Sequence, residues 1–309
     1  MNLIEKKWDK IRKRDWAEVR DAWIDHVPTF SSVGATPDPG LERLATLSTT
    51  TIPELRDPPI RLTDIEGIRR NALWEAVFLF HKCSHTNLAA QRLGEKGMHS
   101  WCMFNAYHSA FLGARGIMAL LGVALAKLDG KQVALDLFPE PERHAKKTPA
   151  PSRRFQDFLL IRLPDTLDQR YWWFGFQRML RISEVKCWDV RLDKELVNVS
   201  WANITPPRNH FLYQAHYWPL QDLVTDGAVE EMRTLIGDEL DTNDQGFLLR
   251  LSFLVYRLFE QLMIDLGELS PVIREQLNGS RTQVNLAQPE FDGYKLFLSQ
   301  VGATPSQAA

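Results

Sequence analysis

Histidine and cysteine recur in one short stretch, His81-Lys82-Cys83-Ser84-His85. Four residues apart, His81 and His85 share a helix face, and two imidazoles on one face can hold a zinc ion. Cys83 points about 200° away, because each helical residue turns by roughly 100°, so only two ligands are local. His99 and Cys102 would complete a set if their helix pairs antiparallel with the first. Lys82 stands where an H-E-x-x-H metalloprotease carries its glutamate. Two readings follow, surface or structural histidines on one side and a metal site on the other; the first is expected, with no bound metal and no other cofactor. A second acidic run, GDELDTNDQG, imitates a calcium loop through Asp241, Asn243 and Gln245. Its twelfth position is Ser252, where a bidentate glutamate is required, so helix-capping acids in a turn explain it better. Phosphate cradles of the G-x-x-x-x-G-K-[ST] and G-x-G-x-x-G types are absent, and so is the G-x-S-x-G elbow.

The segment FNAYHSAFLGARGIMALLGV, residues 104–123, has a different kind of pattern. Ala106, Ala110, Gly113 and Ala114 keep one side slim, while Phe111, Met118 and Leu121 bulk out the rest. A slim side lets another helix approach closely, as in a bundle. The run Tyr107-His-Ser-Ala110-Phe111-x-x-Ala114-Arg115 resembles the helix Y-x-A-x-F-x-A-A-R-A-L-L of HEPN domains, compact α-helical bundles found in toxins, anti-phage defence proteins and partner modules of nucleotidyltransferases. That resemblance implies an HEPN-like fold. In the RNase members a later helix carries Arg-x4–6-His, often with a polar residue after the arginine. Here Arg208-Asn209-His210-Phe-Leu-Tyr213-Gln-Ala-His216 follows Pro206-Pro207. Seven residues separate Arg208 from His216, one more than the family's longest gap, and Tyr213 stands where the shortest version has its histidine. The bare pattern also occurs at Arg20…His26 and Arg92…His99.

Helical geometry ranks these residues. Eight steps put His216 about 80° from Arg208, and seven steps put it about 20° from Asn209. His210 sits roughly 200° from Arg208. The resemblance therefore implies a catalytic set of Arg208, Asn209 and His216. In such chemistry a neutral His216 takes the proton of a ribose 2′-hydroxyl, which suits an imidazole titrating near neutrality. Arg208 would hold the phosphate through its planar donors, and Asn209 would orient the phosphate or the histidine. The bland alternative is that Arg208 and His216 only make hydrogen bonds around a helix start. RNA and a protein partner or homodimer are the implied partners. The alternative function is a non-catalytic HEPN-like module that binds a protein or nucleotide; ten tryptophans and the run Tyr171-Trp-Trp-Phe174 lean that way.

Positioning such residues requires a sizeable core, and 309 residues with 44% hydrophobic and 25% charged side chains can supply one. The formal charge of -2 gives no global basic field, so any nucleic-acid contact must come from a local patch. Three widely spaced cysteines without C-x-x-C fit a reducing, cytoplasmic setting. The start MNLIEKKWDKIRKRDW lacks an apolar h-region. The apolar stretch Ala110–Leu125 contains Arg115 and is too short to span a bilayer, so no membrane partner is expected.

Trp8, Ile11, Val19, Trp23 and Val27 predict one amphipathic helix over 3–26, with a solvated basic face carrying Lys6, Lys7, Lys10, Arg12, Lys13 and Arg14. Residues 28–62 read as an irregular arm. A capping box at Thr63–Glu66 predicts a long helix ending at Gly94 and Gly97. A second is expected over 98–127, stopping at Asp129-Gly130. KQVALDLFP reads as a strand, FQDFLLIRLP as helix or strand, and DQRYWWFGFQRMLRIS as helix. Further helices are predicted after Pro206-Pro207, at 227–240 and at 245–277, with Gly279 just beyond. The sum is a mainly α chain with an N-terminal helical arm and a small strand insertion, and the resemblance implies that its bundle is HEPN-like. Its divisions are 1–62 (N-terminal helix and irregular arm), 63–279 (helical domain) and 280–309 (C-terminal tail).

Overall fold

Two long helices set the frame, α2 (Ile68–Glu95) and α3 (His99–Leu120). They run antiparallel, since Glu75 meets Arg115 while Cys83 meets Ser109. This computed structural model describes residues 8–27, 59–63, 68–96, 98–128, 131–139, 157–163, 169–184, 196, 204 and 247–286. Of the slim side predicted for α3, Gly113 meets another helix, and Gly116, outside that predicted set, does so too. A Cβ on Gly113 would stand 2.6 Å from Val255, and one on Gly116 would stand 2.1 Å from the Phe259 ring. Both partners belong to a third long helix, α5 (Phe247–Leu269). Asn87 bonds Ser252 near the start of α5, and Phe80 packs edge-on against Phe259 further along it. So α5 is antiparallel to α2, and bare glycine backbone is what lets it lie in the groove of the hairpin.

The expected helix over 98–127 ends early. At Gly122 the backbone turns to φ +89°, a conformation that costs glycine nothing. Residues 123–128 then form strand β3 (Val123–Leu128), which pairs antiparallel with β4 (Lys131–Asp136). The dipeptide Asp129-Gly130, expected as a helix stop, thus falls in sequence between two paired strands. The ambiguous run at 155–164 resolves as strand β5 (Asp157–Arg162), and part of the expected arm is strand β2 (Ile60–Thr63). The four strands form one antiparallel sheet in the order β2-β5-β4-β3. The Thr63 that would open the capping box therefore ends a strand, and α2 is described from Ile68.

The N-terminal segment departs most from expectation. Instead of one helix over 3–26, the described part gives β1 (Arg14–Asp15) and a short helix α1 (Trp16–Trp23). Asp15 caps α1 by accepting from the Ala17 N–H at 3.0 Å, which places a helix start where continuity was predicted. β1 pairs in parallel with β6 (Ser183–Glu184), which follows helix α4 (Gln169–Ile182). Two of the supposedly solvated cations turn inward. Arg14 is buried at 2.7 Å from the equally buried Asp136, and Arg12 donates to the Phe138 carbonyl and pairs with Glu18. Trp8, Trp16 and Trp23 join the same core as the helices; the Trp23 indole donates to the Leu120 carbonyl at 2.7 Å.

The predicted helix over 245–277 is two. Ser270 breaks it, and Pro271 occupies the first position of α6 (Pro271–Leu286), where its missing N–H costs nothing. Arg274 donates back to the Gly267 and Glu268 carbonyls, satisfying the end of α5. Gly279 lies inside α6 rather than beyond a helix end. The described protein is thus mostly helical with a small antiparallel sheet. The helices expected after Pro206-Pro207 and at 227–240 lie outside the described residues.

Candidate functional site

The helix that carries the resemblance faces two ways. Inward, Ala106, Tyr107, Ala110 and Ala114 are buried, and the Tyr107 hydroxyl donates to Gln169 of α4. Phe111 sits edge-on to Trp172 at 5.5 Å. Arg115 reaches Glu75 at 2.9 Å and lies over the Trp172 ring at 5.3 Å. That side chain joins α2, α3 and α4, so a structural task accounts for it.

Of the sequence-predicted site, Arg208, Asn209 and His216 lie outside the described residues, as do His210 and Tyr213. The chain before them is anchored at Leu196 and Ile204, both buried in the common core. Gln177 of α4 donates to the Leu196 carbonyl at 3.1 Å.

The histidine–cysteine group is dispersed by the fold. Cys83 faces α3, with its carbonyl accepting from Ser109 at 3.0 Å, and burial pushes its thiol up to about 12. Cys102 is buried as well, with its thiol also raised to about 12. Thiols held protonated this firmly are poor nucleophiles and poor metal ligands. His81 turns toward α6, where its Nε2 meets Gln276 at 3.3 Å, and burial lowers its pKa. His85 is exposed on the outer side of α2, and the His99 side chain lies outside the described residues. Among the described residues no group of three or more His, Cys, Asp or Glu is placed to hold a metal ion.

A feature missed by the sequence reading lies on the outer face of the α2–α3 hairpin. Lys82, His85, Arg92 and Lys96 recur at helical spacing and are exposed along α2 and its end. On α3, Trp101 is 47% exposed and Met98, just before the helix, is 48% exposed. Trp101 packs edge-on against Phe104, whose ring lies 4.1 Å from that of His108. The His108 Nδ1–H donates to the Phe104 carbonyl at 2.9 Å, which turns Nε2 away from the helix backbone. The signal was in the charge distribution. Residues 76–128 hold five Lys and Arg, four His and one acid, Glu95, in a chain whose overall charge is -2.

Searches for likeness add no label to this geometry: no protein-family model, curated protein or solved structure matches the chain. Among the described residues no helix is long and apolar enough to cross a membrane.

Proposed function

We propose that this chain is a metal-independent HEPN-like endoribonuclease effector of a bacterial toxin or anti-phage defence system, acting in the cytoplasm as a homodimer or with a protein partner. The observation that carries the reading is the segment 104–123, which resembles the HEPN helix and packs its small residues against α5 in a helical bundle. Arg208, Asn209 and His216 are the proposed catalytic residues. His216, neutral, accepts the proton of a ribose 2′-hydroxyl. The freed oxygen attacks the adjacent phosphorus, the bond to the 5′-oxygen breaks, that oxygen takes up a proton from water, and the products are a 2′,3′-cyclic phosphate and a 5′-hydroxyl. Arg208 offsets the charge that develops on the phosphate oxygens, and Asn209 orients the phosphate or the imidazole.

The test is cleavage of single-stranded RNA in the presence of a chelator. Wild type should release fragments ending in cyclic phosphate. His216→Ala and Arg208→Ala should each lose about 10²–10⁴ in rate with unchanged helical spectra, and His210→Ala should lose far less. Cleavage that stops with chelation, or loss that merely tracks early melting of both variants, defeats the assignment. One observation favours a second reading, a non-catalytic HEPN-like partner-binding module. Phe78, Leu269 and Val272 are large apolar side chains left exposed on α2, α5 and α6, and binding without cleavage would fit them.

A further inference from the structure

We propose that the outer face of the α2–α3 hairpin binds single-stranded RNA, with Lys82, Arg92 and Lys96 on phosphates and Trp101 and the Phe104–His108 pair under bases. As the surface that holds the substrate strand it rests on the nuclease reading, so binding is measured apart from cleavage. The argument begins with geometry. Lys82, His85, Arg92 and Lys96 fall at steps of three, seven and four residues, which keeps them on one stripe of α2 and its end. From Lys82 to Lys96 that stripe is roughly 21 Å long at 1.5 Å per residue. Because α3 returns antiparallel, His108 lies level with Lys82, and Trp101 lies toward the Arg92 end. Packed helices stand about 8–10 Å apart, which puts the cations of α2 and the rings of α3 within reach of one short strand.

That juxtaposition matches the chemistry of a flexible polynucleotide. Every base has a π-face that stacks on an indole or phenyl ring, and the backbone follows a positive track, with sites of about four nucleotides at the small end of the known range. A protein occupant fits less well, since lysine is depleted at protein interfaces and two lysines stand in this stripe. Duplex RNA fits less well too, because its bases are already stacked and its edges recessed. Glu75, further along α2, is paired with Arg115.

The experiment uses the full chain carrying His216→Ala, so that the probe survives, and follows the anisotropy of a fluorescent short oligouridylate as salt is raised. Three phosphate contacts should give a log–log salt slope of about -2. Trp101→Ala should weaken binding about tenfold, and Lys82→Gln/Arg92→Gln/Lys96→Gln should bring the slope toward zero. Asn278→Ala, exposed on α6, is the control and should leave binding unchanged. An oligothymidylate of equal length and an RNA duplex complete the set; RNA bound at least as tightly as the DNA strand, and more tightly than the duplex, supports the proposal. It is overturned by absence of binding, by a preference for DNA or duplex, or by wild-type affinity in Trp101→Ala with its spectrum intact. Self-association abolished by Trp101→Ala, with no RNA binding, would assign the face to a second copy of the chain and also overturn it. If binding holds but wild type cuts no RNA, the nuclease reading fails and the surface stands; if cleavage holds without binding, the reverse is true.

Discussion

His26 shows how a single residue couples this fold to pH. It closes the short 3₁₀ turn Ile24–His26 after α1. Burial lowers its pKa to about 4, with Arg69 and Arg70 adding to the shift and Asp25 opposing it. In the unfolded chain the same ring titrates near 6.5. Above that pH both states hold a neutral ring and the group has no effect on stability. As pH falls from about 6.5 toward 4, the unfolded chain takes up a proton that the folded chain refuses, so stability drops. Discounted for solvent screening of a partly exposed ring, the loss is about 1–2 kcal/mol. His81 is lowered by burial too and pulls in the same direction. His26→Gln should therefore flatten part of the decline between neutral and acidic pH, read as denaturation midpoints at a series of pH values. A variant whose midpoints fall as steeply as those of wild type would show that His26 is not held neutral.

At the scale of elements, what was legible in the sequence depended on whether local pattern and tertiary context agreed. The helices α2 and α4 stand close to where the sequence predicts them, although the capping box expected to open α2 falls at the end of β2, and β4 follows from alternation. The errors cluster where a few residues override a longer pattern. Gly122 ends α3 by adopting a positive φ, Asp15 starts α1 as a cap, and Ser270-Pro271 divides α5 from α6. Arg14 was read as solvated because its partner, Asp136, lies 122 residues away, and no local pattern encodes that distance. The basic half of the stripe shows in the sequence only as an excess of positive charge over 76–128, and its relation to the aromatic half is hidden, since the two sit on separate helices. Two glycines test how far such context decides. Gly116 faces the Phe259 ring, whereas Gly279, inside α6, has nothing within 4 Å of where a Cβ would stand. Gly116→Ala should destabilise by about 1–3 kcal/mol through overpacking. Gly279→Ala should stabilise by about 0.5–1 kcal/mol, because alanine loses less chain entropy in a helix. Thermal melts of the two variants should shift in opposite directions, and a shared direction would contradict the packing of α3 on α5.

At the scale of the whole molecule, the N-terminal segment and the helices behave as one folding unit. Trp8 packs against Gly175 of α4, where a Cβ would come within 2.4 Å of its ring, and Trp16 and Arg20 both bond Asp265 of α5. The Arg14–Asp136 pair joins the same segment to the sheet, and Asp136 also accepts from the Phe138 N–H at 3.2 Å. Removing residues 1–27 would leave Asp136 as a buried carboxylate without its cation, at a cost of about 3–5 kcal/mol. It would also strip three buried tryptophans, each worth about 3–5 kcal/mol in truncation series. The total, about 12–20 kcal/mol, matches or exceeds the roughly 5–15 kcal/mol that holds a typical domain together. The truncated chain should therefore show no cooperative melt by circular dichroism. The point variants separate charge from packing. Arg14→Met alone should lower stability by about 3–5 kcal/mol, because it leaves Asp136 buried and unpaired. Arg14→Met/Asp136→Leu should recover much of that loss, since a buried ion pair can be replaced by apolar groups at little net cost. A truncated chain that melts cooperatively near the wild-type temperature, or a double variant no better than Arg14→Met, would show that the segment is an appendage and not part of the core.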